Sequence, residues 1–75
     1  MREWLIELRK NKELSQEDVA KITGISPQMI SLIEQGSRRP SVEKAKKIAK
    51  LYKFDWTKFY DRKNDDLYKQ KETSA

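Results

Sequence analysis

The sequence predicts an all-α domain of five short helices, and three observations carry this prediction. Apolar side chains recur at intervals of three and four residues in five separate segments, which is the spacing of one helix face. Serines stand where helices would begin, and glycines stand where two of them would end. No segment alternates apolar and polar residues in the manner of a β-strand.

The first two helices have clear local boundaries. The first is predicted from about Arg2 to Asn11. The second begins after Ser15, whose hydroxyl can accept from the amide of Asp18. The Asp18 carboxylate can accept from the Ser15 amide in return, which would form a shortened capping box. Gly24 ends it, since glycine adopts the left-handed backbone of a helix stop. The predicted inward-facing residues are Trp4, Leu5, Ile6, Leu8, Val19, Ala20 and Thr23.

The third helix follows after only three residues, Gly24-Ile25-Ser26. Ser26 is an N-cap and Pro27 takes the first helical position, where a missing amide hydrogen costs nothing. Gly36 ends the helix. So short a link makes two helices cross steeply, which is typical of a helix-turn-helix. Ile30, Ile33 and Met29 are predicted to face inward.

The last two helices are separated from the third by a predicted loop over Ser37–Pro40, because Pro40 restricts Arg39 to an extended shape. Ser41 caps the fourth helix and Asp55 caps a short fifth one. We expect one domain over residues 1–60 and a polar tail over 61–75, either disordered or a frayed helix. The predicted inward-facing residues of the fourth helix are Val42, Ala45, Ile48, Ala49 and Tyr52.

The composition excludes several classes of function. The 75-residue chain contains no Cys and no His, which excludes disulfides, the usual zinc sites and imidazole-based catalysis. No nucleophile–base set is visible, so we expect neither an enzyme nor a cofactor. Charges at Glu3, Glu7 and Arg9 interrupt the N-terminal segment, so we do not expect a signal peptide there. No apolar run approaches the roughly 18 residues of a membrane span. We expect a cytoplasmic protein that does not enter a membrane.

Positive charge is concentrated in residues 36–53, where seven Lys and Arg stand against Glu43 alone. A basic face favours a polyanion, nucleic acid first and anionic lipid second, although it is also compatible with a solvated lysine-rich helix face. The third helix is different, although 29 of the 75 residues are charged. Its predicted outer face carries no charge and consists of Pro27, Gln28, Ser31, Leu32 and Gln35.

Three segments resemble the phage repressor and Cro type of helix-turn-helix protein, the XRE family, over about Leu5–Tyr60. They are LRKNKELSQEDVA, TGISPQMISLIEQG and RRPSVEKAKKIAKLY. The resemblance implies a five-helix repressor-like domain whose third helix enters the DNA major groove. It also implies a sequence-specific transcriptional regulator, a repressor acting as a homodimer on a palindromic double-stranded operator. Four positions depart from the family pattern. Pro27 replaces a frequent polar residue, Ala45 and Tyr52 stand where leucine is usual, and Lys53 replaces a helix-stopping glycine.

The resemblance and the charge pattern together assign DNA-contacting residues. Gln28 is suited to adenine, because its amide can both donate and accept at that base edge. The predicted base-contacting residues are Pro27, Gln28, Ser31 and Leu32. The predicted phosphate-contacting residues are Gln16, Gln35, Arg38, Arg39 and Lys44.

Two further pairs have structural assignments. Arg9 and Glu34 match an ion pair that joins the first and third helices in some relatives. Three aromatic residues within residues 56–60 cannot all point inward, so we expect Trp56 and Tyr60 to form a homodimer interface.

Two other functions stay open from the sequence. The chain could be an antitoxin-like or adaptor module whose tail folds on a protein partner. It could also be a non-specific nucleic-acid or RNA binder driven by its lysine face. The sequence leaves open the operator, the sign of regulation, and the choice among phage repressor, restriction-system controller and antitoxin.

Overall fold

The computed structural model describes residues 1–60, and the predicted tail lies outside the described residues. The elements are α1 (Glu3–Asn11), α2 (Gln16–Thr23), α3 (Pro27–Gln35), α4 (Val42–Tyr52) and a 3-10 helix (Trp56–Tyr60). Residues 1–60 contain no β-strand, so the all-α prediction is confirmed for them. The count of five α-helices is not confirmed, because the fifth element is a 3-10 helix.

The starts of α2, α3 and α4 are capped as predicted. Ser15 Oγ accepts from the Asp18 amide at 3.0 Å, and Asp18 Oδ2 accepts from the Ser15 amide at 2.9 Å, which completes the capping box. Ser26 and Ser41 each accept from the amide three residues on. These bonds satisfy amides that have no partner inside the helix.

Three helices end on a left-handed residue. Gly24 has φ 75° and Gly36 has φ 86°, both as predicted and both free of steric cost for glycine. Lys53 ends α4 with φ 61° and ψ 52°. A residue with a Cβ is strained there, so the departure noted at this position leaves the turn in place at a cost in stability.

The fifth segment is a tight turn rather than an α-helix. Asp55 Oδ1 accepts from the Thr57 amide at 3.0 Å and from the Thr57 hydroxyl at 2.8 Å, which starts the turn as predicted. Five residues are too few to establish α-helical hydrogen bonding, and short pieces of this kind are usually 3-10. The turn places Phe59, fully buried, at the end of the core.

The core is a single apolar cluster to which every helix contributes. Its buried members are Leu5, Val19, Ala20, Ile25, Ile30, Ile33, Ala45, Ile48, Tyr52 and Phe59. Trp4 extends it by packing its ring 5.2 Å from Phe54 and 5.3 Å from Phe59, centroid to centroid. The core thereby fixes α1 against both α3 and the last turn. Among the helices of residues 1–60, none is long and apolar enough to cross a membrane.

Candidate nucleic-acid interface

The exposed face of α3 carries no charge. The one charged residue of α3, Glu34, is only 3% exposed. Pro27, Gln28 and Gln35 are exposed, while Ser31 and Leu32 are half-buried at the edge of the same face. The structure therefore brings the five residues of the predicted outer face together on one surface.

Two amide side chains on this face differ in their hydrogen bonding. Gln35 Nε2 donates to Ser31 Oγ at 3.1 Å, so one turn of the face is joined internally. Within residues 1–60, no hydrogen bond engages the Gln28 amide. Gln28 consequently offers both a donor and an acceptor to an incoming ligand.

The predicted ion pair between Arg9 and Glu34 is present and lies behind α3. Arg9 Nε is 2.7 Å from Glu34 Oε2, and Arg9 Nη2 donates to Oε1 at 3.2 Å. A third Arg9 nitrogen donates to the Leu14 carbonyl at 2.9 Å. The hydrogen bond with Glu34 raises the pKa of Arg9, against the opposing effect of burial. The fork geometry fixes the rotation of α3 relative to α1.

Gln16, predicted to contact phosphate, is also drawn into this network. Its Nε2 donates to Glu34 Oε1 at 3.0 Å, and the side chain is half-buried. A side-chain amide has two N–H groups, so one of them is used within the chain and the other is left for an external acceptor. This dual use was not anticipated from the sequence.

The predicted basic residues follow α3 directly in the chain. Arg38 and Arg39 are exposed in the Ser37–Pro40 loop, and Lys44 is half-buried in the first turn of α4. The Arg39 guanidinium carbon lies 5.2 Å from the centroid of the Tyr60 ring. Cations thus border the uncharged face of α3 at its C-terminal end.

Trp56 and Tyr60, the predicted dimer contacts, are both half-buried. Their ring centroids are 5.9 Å apart at an interplanar angle of 80°. The Tyr60 hydroxyl donates to the Pro40 carbonyl, and Lys46 Nζ lies 5.3 Å from the centroid of the Trp56 ring. Much of this aromatic surface therefore serves contacts within the chain. Within residues 1–60 the exposed large apolar residues are Met1, Ile22 and Val42, so the prediction that Val42 faces inward is wrong.

Arg2 is the residue of this region that sequence reasoning missed. It is only 2% exposed and donates to main-chain carbonyls at the end of α3. A single arginine before a helix carries no local pattern that would predict burial, since the carbonyls it binds lie more than thirty residues away.

Comparison with known proteins agrees with this geometry. A sequence model of the helix-turn-helix family matches residues 5–59, which include α2, the short link and α3. The chain belongs to the XRE family of helix-turn-helix proteins. The resemblance noted in the sequence is confirmed. This is a DNA-binding family and not an enzyme family.

Two relatives are similar to the chain over different shares of their length. The chain is 44% identical over 61 residues to the uncharacterized HTH-type transcriptional regulator YqaF of Bacillus subtilis (strain 168), covering 81% of this chain and 80% of YqaF. It is 51% identical over 39 residues to the uncharacterized HTH-type transcriptional regulator MJ0272 of Methanocaldococcus jannaschii, covering 52% of this chain and 59% of that protein. No solved structure matches the chain significantly.

Family membership identifies α2 and α3 as the two helices of the helix-turn-helix motif. In helix-turn-helix proteins the second helix of the motif lies in the major groove and the first crosses the sugar-phosphate backbone. In this XRE-family chain α3 is the second helix of the motif and α2 the first. The uncharged surface described above is the exposed face of α3.

Proposed function

We propose that this chain is a transcriptional repressor that binds a palindromic operator as a homodimer and reads base edges with α3. That it is a DNA-binding transcriptional regulator follows from its family. The observation that carries the finer proposal is the exposed face of α3, which has no charge in a chain with 29 charged residues of 75. Such a face suits hydrogen-bonded readout better than non-specific attraction to phosphate.

Gln28 is the proposed principal base contact. Its exposed amide can donate to adenine N7 and accept from adenine N6 in the major groove. Ser31 can serve several bases, although its hydroxyl already accepts from Gln35. Leu32 and Pro27 offer apolar surface to a thymine methyl group. Because Pro27 cannot form a side-chain hydrogen bond, specificity would rest largely on Gln28 and on DNA shape.

The proposed phosphate contacts flank this face. Gln16 retains one amide hydrogen for a phosphate oxygen. It is the first residue of α2, the helix that corresponds to the one crossing the DNA backbone. Cationic or polar groups at the C-terminal end of α3 and beyond it would contact phosphates on the other side of the groove. Phosphate contacts of this kind fix the register of the protein on DNA without specifying sequence. The proposed phosphate contacts at the end of α3 and beyond it are Gln35, Arg38, Arg39 and Lys44.

The homodimer is proposed through Trp56 and Tyr60, the first and last residues of the 3-10 helix. Two protomers related by a two-fold axis would set their α3 helices one DNA turn apart, about 34 Å. A dimer seated on a promoter would repress by occupying it, and its DNA target would place the protein in the cytoplasm.

The test is the stoichiometry of binding to an operator duplex selected from random DNA. Sedimentation velocity at tens of micromolar protein should give two protomers per duplex, with much weaker binding to a scrambled duplex of equal length. One protomer per duplex would contradict the homodimer. Equal affinity for the scrambled duplex would contradict sequence-specific readout.

A second candidate function is non-specific nucleic-acid binding, which the exposed lysines of α4 favour. They are Lys46, Lys47 and Lys50. This function predicts a steep loss of affinity with salt, no preference between sequences and no effect of Gln28→Ala. The other alternative, a protein-interaction module acting through its tail, concerns residues 61–75 and lies outside the described residues.

A further inference from the structure

Arg2 makes a set of contacts that converge on the end of α3. Its Nη1 donates to the Ile33 carbonyl at 2.7 Å and to the Arg38 carbonyl at 2.8 Å. Its main-chain amide donates to the Glu34 carbonyl at 2.8 Å. The guanidinium carbon lies 5.5 Å from the centroid of the Phe59 ring. A long cationic side chain is thus fully enclosed between α1, α3 and the last turn.

These contacts complete the C-terminal cap of α3. The last carbonyls of a helix have no donor within it, and they form the negative end of the helix dipole. Gly36 and Ser37 amides turn back onto Leu32 and Ile33, and Arg2 supplies further donors and a positive charge at the same end. A buried charge is tolerated where polar groups surround it in this way.

The same nitrogen reaches beyond the helix into the Ser37–Pro40 loop. Because Nη1 binds the carbonyls of both Ile33 and Arg38, it fixes the distance between the end of α3 and the middle of the loop. The Arg38 carbonyl is held toward the interior, and the Arg38 side chain is exposed. At the other end of the loop, the Tyr60 hydroxyl donates to the Pro40 carbonyl. The loop is therefore fastened at two carbonyls.

We propose that Arg2 is a positioning residue for DNA binding, which holds the Ser37–Pro40 loop so that Arg38 and Arg39 meet the phosphate backbone beside α3. The inference rests on the proposed function, since it assigns these two arginines to phosphate. It adds a residue outside the helix-turn-helix that acts through main-chain carbonyls and does not itself reach DNA.

Arg2→Lys is the variant that separates position from charge. Lysine keeps the positive charge and the aliphatic stem, but its ammonium ends one bond short of the place where Nη1 bridges the two carbonyls. Arg2→Met serves as a second variant that removes the donors entirely. Circular dichroism of each full-length variant defines the temperature below which it is folded, and binding is measured there.

The experiment is a double-mutant cycle between Arg2→Lys and the paired change Arg38→Ala with Arg39→Ala. Affinity for a duplex of arbitrary sequence is measured by fluorescence anisotropy over a range of salt concentrations, because phosphate contacts do not depend on sequence. The paired arginine change should lower the slope of log affinity against log salt by about 2. Arg2→Lys should weaken binding about threefold or more and lower the slope by about 1.

The cycle also defines the contrary results. In the Arg38→Ala, Arg39→Ala background, Arg2→Lys should change neither affinity nor slope further. An equal loss in both backgrounds, or no loss in the native background, would overturn the positioning role of Arg2 while leaving the proposed function intact. Failure of the native chain to bind any duplex would overturn the proposed function itself.

Discussion

Arg9 binds both carboxylate oxygens of Glu34, with Nε 2.7 Å from Oε2 and Nη2 3.2 Å from Oε1. The pair joins α1 to the back of α3, and Gln16 adds a third donor at 3.0 Å. The single charged side chain of α3 is thereby paired in the interior, so no charged side chain of α3 lies on its exposed face.

Breaking this pair from the Arg9 side should be strongly destabilising. Arg9→Met leaves the Glu34 carboxylate, 4% exposed, without its counter-charge, and we expect a loss of about 3 kcal/mol in the free energy of unfolding. Urea denaturation measures the loss. Lys10→Met, an exposed neighbour, is the control and should change stability by less than about 0.5 kcal/mol. The double change Arg9→Met, Glu34→Leu should recover much of the loss. A double variant whose loss equals the sum of the losses of Arg9→Met and Glu34→Leu alone would contradict this account.

Tyr52→Phe should stabilise the domain. Among residues 1–60 the Tyr52 hydroxyl is buried with no hydrogen-bond partner, and an unsatisfied buried hydroxyl costs roughly 1–3 kcal/mol. We expect a gain of about 1 kcal/mol by thermal or urea denaturation. A loss of stability would mean that the hydroxyl makes a favourable contact.

The same substitution should change the dependence of stability on alkaline pH. Burial, and to a smaller extent the charge of Glu34, raise the pKa of Tyr52 to about 12. The pKa of an unfolded tyrosine is about 10, so the folded state favours the protonated phenol. This contribution is present below pH 10 and is lost as the pH rises through 12. The stability of the native chain should therefore fall more steeply over this range than that of Tyr52→Phe, whereas parallel curves would contradict the assignment.

Lys53→Gly should also stabilise the domain. Lys53 has φ 61° at the end of α4, and a left-handed residue with a Cβ costs about 1–2 kcal/mol. Glycine removes this strain but loses more backbone entropy on folding, so we expect a net gain of about 0.5 kcal/mol. The matched control is Lys50→Gly inside α4, which should lose about 1 kcal/mol. The prediction fails if both substitutions destabilise the domain equally.

Gln28→Ala should reduce specific binding alone. Removing a bidentate adenine contact should cost about 1–3 kcal/mol on the selected operator and little on scrambled DNA. Gln35→Ala is the comparison, since a lost phosphate contact weakens binding to both duplexes alike. Isothermal titration with both duplexes measures the difference. An equal loss on both duplexes for Gln28→Ala would show that this side chain reads no base.

The parts of the fold that follow from neighbouring residues were predictable from the sequence. The residues that start and end helices interact with groups no more than one helical turn away, so local sequence spacing predicts their roles. They are Ser15 with Asp18, Ser26 before Pro27, Gly24 and Gly36. The inward-facing residues of α2 and α3 follow from helical periodicity in the same way.

Apart from the Arg9–Glu34 pair, which the family resemblance implied, features that depend on distant parts of the chain were not predictable. Arg2 is buried because the end of α3 and Phe59 enclose it, and nothing near residue 2 announces those partners. Gln16 was recognised as a candidate phosphate contact, but its bond to Glu34 depends on how α2 crosses α3. The fifth helix was predicted from its cap, and its 3-10 geometry reflects its short length.

The most direct test of the central claim, that the uncharged face of α3 reads base sequence, is selection of binding sites from a random duplex library at near-physiological salt. The enriched DNA is sequenced after several rounds with the native chain and, in parallel, with Gln28→Ala. The account predicts a two-fold symmetric motif with half-sites about one helical turn apart, and a loss of preference at one base pair of each half-site for Gln28→Ala. Measurable binding without any enriched motif would contradict the account.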